Sequence, residues 1–297
     1  MAQPAGDFPP LPRSRPDRDA AIVAPAPAVP TATPATEAIA SLANVPQPVV
    51  LTARVTQDSA PIPDGLVWRV FEATPDASGE MALVAKSEAG TAQLELAPGE
   101  YVVHVAYGRA QMSQALTVVP GVNEASLDIE AGALRLNSAV TGDIPISPAQ
   151  LHFDIFTAGT EADRVMIAEN LPPNDIVTLN AGTYHIVSRF GDINAVVRAD
   201  LRVEAGQLTD ATLYHHASEV SFKLVSEEGG EAIADVEWTV KTGDGATIFA
   251  ERGAFPSTVL AQGEYLVLAK LGEQVYNREI QIQPGSARDI EVLTSIY

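Results

Sequence analysis

The 297-residue chain has no cysteine, which excludes disulfides, thiolate metal sites and cysteine nucleophiles together. The compartment stays open on this ground, since exported bacterial proteins also dispense with cysteine. Basic residues are scarce: 18 Lys and Arg face 38 Asp and Glu, a net charge of −20 of which residues 1–47 carry only −1 and the rest is spread over the remainder of the chain. So negative a surface repels phosphate backbones and anionic headgroups, and neither nucleic acid nor an anionic membrane is expected as a partner. There is no run of eighteen apolar residues, and the early candidate from Ala20 to Val29 is broken by Pro25 and Pro27. Neither a transmembrane helix nor an intact signal peptide is expected, and membrane insertion is excluded. Aromatic residues are few, at 6%, against a hydrophobic content of 46% that is mostly Val, Leu, Ile and Ala. That palette suits half-buried strands more than helices.

Proline is concentrated at one end. Residues 1–48 hold eleven of the twenty-two prolines, in runs such as Pro9-Pro10-Leu11-Pro12. Such a segment supports neither a ladder nor a helix, so a disordered Pro/Ala-rich linker is expected there. A tether is its natural role.

The remainder repeats. Leu96-Ala-Pro-Gly99-Glu-Tyr101, Leu179-Asn-Ala-Gly182-Thr-Tyr184 and Leu260-Ala-Gln-Gly263-Glu-Tyr265 align, with 83 and then 81 residues between tyrosines. Seven residues beyond each Tyr stands a glycine, at Gly108, Gly191 and Gly272, and a further set, Gly121, Gly206 and Gly285, closes the following strand. Upstream, Trp68, Phe153 and Trp238 occupy matching positions, each followed two residues later by Val or Ile. Within each copy a period of two is clearest after the tyrosine: Tyr101, Val103, Val105 and Tyr107 share one face, matched by Tyr184, Ile186, Ser188 and Phe190, then by Tyr265, Val267, Ala269 and Leu271. That face is assigned to the core.

Each copy reads as about seven short strands with regular turn signals, the pattern of an Ig-like sandwich. In the first copy they fall near 49–57, 66–74, 80–87, 91–96, 100–107, 110–119 and 124–130. The fold class is therefore all-β: three tandem seven-stranded Ig-like or prealbumin-like sandwiches at 49–131, 132–217 and 218–297. Short joints between copies point to a rod of roughly 100 Å, from strands of eight or nine residues at ~3.3 Å each. The Leu-x-x-Gly-x-Tyr element has a folding reason. Its glycine is expected to let the chain turn between sheets, its leucine to plug the core end, and its tyrosine hydroxyl to bond a corner backbone group. Leu96, Gly99, Tyr101, Leu179, Gly182, Tyr184, Leu260, Gly263 and Tyr265 are thus assigned a structural role.

With this corner followed by a Val-rich strand, the chain resembles the carboxypeptidase-regulatory-like, prealbumin-like and Cna-B-type sandwiches of bacterial surface proteins, across residues 49–297 and with no single family singled out. The resemblance to Cna-B-type modules implies that an internal isopeptide bond be considered, between a lysine on the first strand and Asn or Asp on the last. There are four lysines, and only Lys223 stands on a first strand, with Asp289 as its counterpart; a solvated lysine is the plainer reading.

No other constellation carries chemistry. His104 and His185 fall opposite the core tyrosines and are expected to face solvent, while His215 and His216 point to opposite sides of one strand, so no chelating pair is expected. Neither a serine elbow with His and Asp partners nor a pair of carboxylates across a cleft is present. The stretch Thr242-Gly243-Asp244-Gly245-Ala246 lacks the Lys-Ser/Thr of a phosphate loop and reads as a hairpin turn. No catalytic, cofactor-binding or metal residue is assigned, and no cofactor. The expected function is that of a non-enzymatic structural or interaction protein of a bacterial envelope or exterior, periplasmic or secreted, with a protein partner. A glycan binder using sandwich loops or a sheet edge is the alternative; it is disfavoured because Trp68 and Trp238 align with the core position of Phe153, while Tyr107, Tyr214 and Tyr276 are left as platforms.

Overall fold

The computed structural model describes residues 44–294. The expected linker lies outside them except for its last few residues, of which Gln47 and Pro48 already belong to the first strand. By contact the chain divides into Met1–Pro46 and Gln47–Tyr297, and everything below concerns the second unit.

The fold is all-β. Its first stretch comprises β1 (Gln47–Arg54), β2 (Leu66–Glu72), β3 (Leu83–Ser87), β4 (Thr91–Leu96), β5 (Gly99–Tyr107), β6 (Ala110–Val118) and β7 (Asn123–Asp128). These form a three-stranded sheet, β4-β1-β7, and a four-stranded one, β3-β2-β5-β6. The pattern recurs with β8 (Ala131–Val140), β9 (Ile144–Pro145), β10 (Leu151–Thr157), β11 (Met166–Leu171), β12 (Ile176–Asn180), β13 (Gly182–Phe190), β14 (Ala195–Val203) and β15 (Leu208–His215), as sheets β12-β8-β15 and β11-β10-β13-β14. Here two-residue β9 adds an eighth strand, paired to β8, that the sequence pattern does not announce. A third set, β16 (Ala217–Val225), β17 (Glu237–Thr242), β18 (Thr247–Arg252), β19 (Ser257–Ala261), β20 (Gly263–Leu271), β21 (Gln274–Ile282) and β22 (Arg288–Leu293), gives β19-β16-β22 and β18-β17-β20-β21. In all three sets the first strand pairs antiparallel with the fourth of the sandwich pattern and parallel with the last.

Alternation explains why these segments are strands and which face they bury. Along β5, Tyr101, Val103 and Val105 are buried while Val102, His104 and Ala106 are half-exposed. Three apolar clusters fill the space between paired sheets, centred on Trp68, Phe153 and Trp238, each at most 1% exposed. Each indole N–H, from Trp68 and Trp238, donates 2.9 Å to a backbone carbonyl, of Ala89 and Gly253 respectively, so neither tryptophan leaves a buried donor unpaired. Both rings are core groups and offer no platform.

At each corner the tyrosine hydroxyl meets a backbone carbonyl, while the glycine has no left-handed turn to make. The hydroxyls of Tyr101, Tyr184 and Tyr265 donate to the carbonyls of Ala97, Asn180 and Ala261, four residues back, at 2.8, 2.8 and 2.9 Å. Leu96, Leu179 and Leu260 are buried. Gly99, Gly182 and Gly263, however, are not in the left-handed region. Each lies under the ring of its own tyrosine, where a Cβ would meet ring atoms at 3.6, 3.9 and 3.6 Å, an ordinary contact. A Cβ would be accommodated there, so neither a turn conformation nor a close approach requires glycine at these positions.

Candidate functional site at the joints between repeats

The positive-φ glycines stand one step further on, at the tips of the hairpins β5–β6, β13–β14 and β20–β21. Gly108, Gly191 and Gly272 have φ of 60, 65 and 61°, a conformation that L side chains adopt only at a cost. In the first two hairpins that tip is where one repeat meets the next. A Cβ on Gly108 would come within 3.0 Å of Thr178 Cβ, and one on Gly191 within 2.8 Å of Val259 Cβ. Thr178 and Val259 are equivalent, each preceding the corner leucine, so both joints use the same register. At Gly272 nothing lies within 4 Å.

Hydrogen bonds fix that register from both sides. At the first joint, Asn180 accepts from the Gln111 backbone N–H at 3.0 Å and donates to the carbonyls of Gln111 and Ile129 at 3.1 and 2.9 Å. Arg109 adds two more, from its N–H to Thr178 O at 3.1 Å and from its guanidinium to Ile167 O at 2.6 Å. The second joint reverses the donor of the clamp. Hairpin β13–β14 has four residues between its paired ends where the other two have two. The longer tip carries Ile193, which packs against the third core, and Asn194. Asn194 accepts from the Ala261 N–H at 2.9 Å and donates to the Tyr265 hydroxyl at 2.8 Å. A small buried cluster of Val140, Phe190, Ala195, Ala217 and Val259 spans the same joint. The strand-to-strand links are held alike: Ala181 N–H donates to Glu130 O at 2.6 Å, and the equivalent Gln262 N–H to His216 O at 2.8 Å.

Residues 219–294 match the family model described as the Rhizobiales growth-associated tandem repeat domain. No curated protein matches the sequence. Among solved structures, a streptococcal ancillary pilin aligns at 12% identity and a TM-score of 0.31, over 84% of this chain and all of its own. A minor pilin of Streptococcus agalactiae aligns at 12% and 0.34, over 57% of this chain and 95% of that one. The TIE protein of Bacillus anthracis aligns at 14% and 0.26 over 84% of this chain, which spans only 50% of that protein. The chain is thus built of tandem β-sandwich repeats.

The titratable groups are distributed differently from the sequence expectation. His185 is not solvent-facing: it is 7% exposed, its Nδ1 2.6 Å from Asp200 and its ring tilted 6.5 Å from Phe156. Neighbouring Asp154, also on the outward side of this sheet, is buried and pairs with Arg189 while accepting from the Asn170 N–H at 3.0 Å. The period of two cannot reveal this, because side chains on the outward face cover one another. His215 and His216 do diverge, one buried and one exposed. His215 Nε2 lies 2.8 Å from Ser188 Oγ, which is 2.9 Å from Ser138 Oγ. Burial first, and His216 second, lower His215 to about 4, so its ring is neutral near pH 7. The trio resembles a serine–base pair only in part: Ser138, Ser188 and His215 are each at most 3% exposed, and only His215 borders the cleft at the second joint. It is a polar filling of the core next to the second joint.

Lys223 faces Glu291, not Asp289, because the parallel register sets Ser221 opposite Asp289 and Lys223 opposite Glu291. Its ammonium is 2.9 Å from Glu291 Oε1, and that hydrogen bond raises the lysine and lowers the glutamate. Both stay charged, so the amine is no nucleophile. Of the three tyrosines considered as platforms, only Tyr214 is largely exposed, and its hydroxyl is engaged at 2.8 Å by Asp143. Among the described residues no three His, Asp or Glu side chains gather as a metal would require, and no helix is long and apolar enough to cross a membrane.

Proposed function

We propose that the chain is a non-enzymatic spacer or scaffold of a bacterial envelope or exterior: three sandwich domains, at 49–131, 132–217 and 218–297, set in line behind a Pro/Ala-rich tether, with a protein partner. The repeated joint carries this reading. Two successive contacts share one register and are each held by a hairpin-tip glycine, an asparagine clamp and a linker hydrogen bond, which restricts bending where flexible repeats would have a bare linker. The corner residues Leu179, Gly182, Tyr184, Leu260, Gly263 and Tyr265 serve this role by closing the second and third sandwiches at the end that receives the preceding repeat, and Leu96, Gly99 and Tyr101 close the first at the equivalent end. Clefts of about 570 and 560 Å³ lie at the two joints and are lined in part by those same joint residues.

Cross-linking of the full chain in cells of its source, followed by mass spectrometry, together with a glycan array, tests the reading. Cross-links to a defined envelope protein and an empty array are expected. Retention of glycans with no protein cross-link would replace the scaffold with a carbohydrate-binding role.

A further inference from the structure

The three repeats differ on the outward faces of their four-stranded sheets. One row crosses each sheet at the residue after the core aromatic. In the second repeat it contains Asp154, Val187 and Arg198, with Asp154 neutralised by Arg189 from the next row. The third repeat has Ala250, Thr239, Leu268 and Asn277, a row without charge. In the first repeat the row is Lys86, Arg69, His104 and Ser113. Lys86 and Arg69 stand directly opposite each other on neighbouring strands, a pairing that costs stability. Among the described residues neither has an ion-pair partner, in a chain with 38 carboxylates. Burial, with the Arg69 charge as a second cause, holds His104 below the usual histidine range, and its Nδ1 lies 3.0 Å from Ser113 Oγ.

The adjoining row of this face is apolar: Leu83, Phe71, Val102 and Ala115. Leu83 is 53% exposed, and beside it Val84 is 44% and Met81 43%. In the second repeat the same row turns polar at His185 and Asp200, and in the third it holds Lys241 and Glu279. Strand β3 is the edge of its sheet, so one side of its backbone is unpaired. A bulge at Val84 leaves residues 85–87 regular.

We propose that this face of the first repeat docks an extended acidic segment of a partner protein. Its carboxylates lie over Lys86 and Arg69, its apolar side chains over Leu83 and Phe71, and its backbone follows the open edge of β3. The uncompensated charge selects the acid, the apolar row excludes a purely ionic ligand such as a polyphosphate, and the unpaired edge selects an extended chain. This deepens the scaffold reading by naming a partner class. Its test is separate, because docking can fail while the joints stay stiff.

The test is panning of a random octapeptide library on the full-length chain, with resynthesis of retained peptides and titration against wild type and the double variant Arg69→Gln/Lys86→Gln. Retained peptides are expected to carry Asp or Glu with Val, Ile or Leu two residues away, and to bind the double variant at least tenfold more weakly. Its melting temperature should equal or exceed that of wild type, because a like-charge opposition is relieved. Retained peptides without acidic residues, or binding unchanged in the variant, would overturn the proposal. So would a fall in melting temperature, which would show the row to be structural, or a wild-type dimer that the variant dissolves, which would give the face to a second copy of the chain.

Discussion

The two joints solve one geometric problem with different chemistry. At the first, the receiving strand supplies the clamp through Asn180, and the arginine after the tip glycine reaches across to Ile167. At the second, the hairpin supplies it through Asn194, lengthened by two residues so that Ile193 meets the third core. The tip glycine over the residue before the corner leucine is common to both. Register is thus a property of the backbone, set by a left-handed turn and a close approach, while the side chains that lock it are interchangeable.

Three equivalent glycines sharpen this comparison, since their φ angles lie within 5° of one another while what lies above them differs, Gly191 standing in a hairpin two residues longer. Gly191→Ala should be the most damaging, by about 2–4 kcal/mol, because left-handed strain adds to a Cβ forced against Val259. Gly108→Ala should cost somewhat less, about 2–3 kcal/mol, with Thr178 at 3.0 Å. Gly272→Ala should cost only the strain, about 1–2 kcal/mol. Urea unfolding of the three variants checks the order; equal losses would mean that the hairpins carry no joint.

A second contrast is in pH. His215 borders the second joint and has no counterpart at the first. Its folded value of about 4 lies below the ~6.5 of an unfolded histidine, so the folded state binds fewer protons between the two. Stability should be fully present above pH ~6.5 and decline as pH falls toward 4, by on the order of 3 kcal/mol in total. His215→Gln should flatten that window and leave the separate loss at lower pH, where Asp210, Glu237 and Glu291, each held below the usual carboxylate range by a basic partner, take up protons. Melting temperatures from pH 7 to 4 for both proteins are sufficient.

The asparagine clamps come next. Asn180→Ala removes three hydrogen bonds and Asn194→Ala two, so losses of about 1–3 kcal/mol are expected, larger at the first joint. Smallest is the corner hydroxyl. Tyr184→Phe should lower stability by about 1 kcal/mol, and Tyr265→Phe by more, since Tyr265 also receives Asn194.

Much of the fold is legible in the residues. Alternation about Tyr101, Tyr184 and Tyr265 gives the core face, the hairpin glycines give the turns, and the recurrence of Trp68, Phe153 and Trp238 gives the buried centre, because each is a local pattern that burial imposes. The joints are less legible. Asn180 and Asn194 occupy different positions in the repeat, so alignment of the copies hides that they do the same work. The burial of His185 and Asp154 escapes a two-residue period altogether, since it depends on neighbouring strands covering an outward face. Lys223 faces Glu291 and not the expected Asp289 because facing residues in a parallel pair follow from register, which spacing does not supply.

The central claim is that the joints hold successive repeats in one fixed orientation. With no native cysteine, single cysteines can be placed at exposed Glu80, Glu169 and Glu251 and spin-labelled in pairs across each joint. Pulsed dipolar spectroscopy should give one narrow distance distribution for each pair, broadened at the second joint by Gly191→Ala. Broad distributions in the wild-type chain, unchanged by that substitution, would contradict the account.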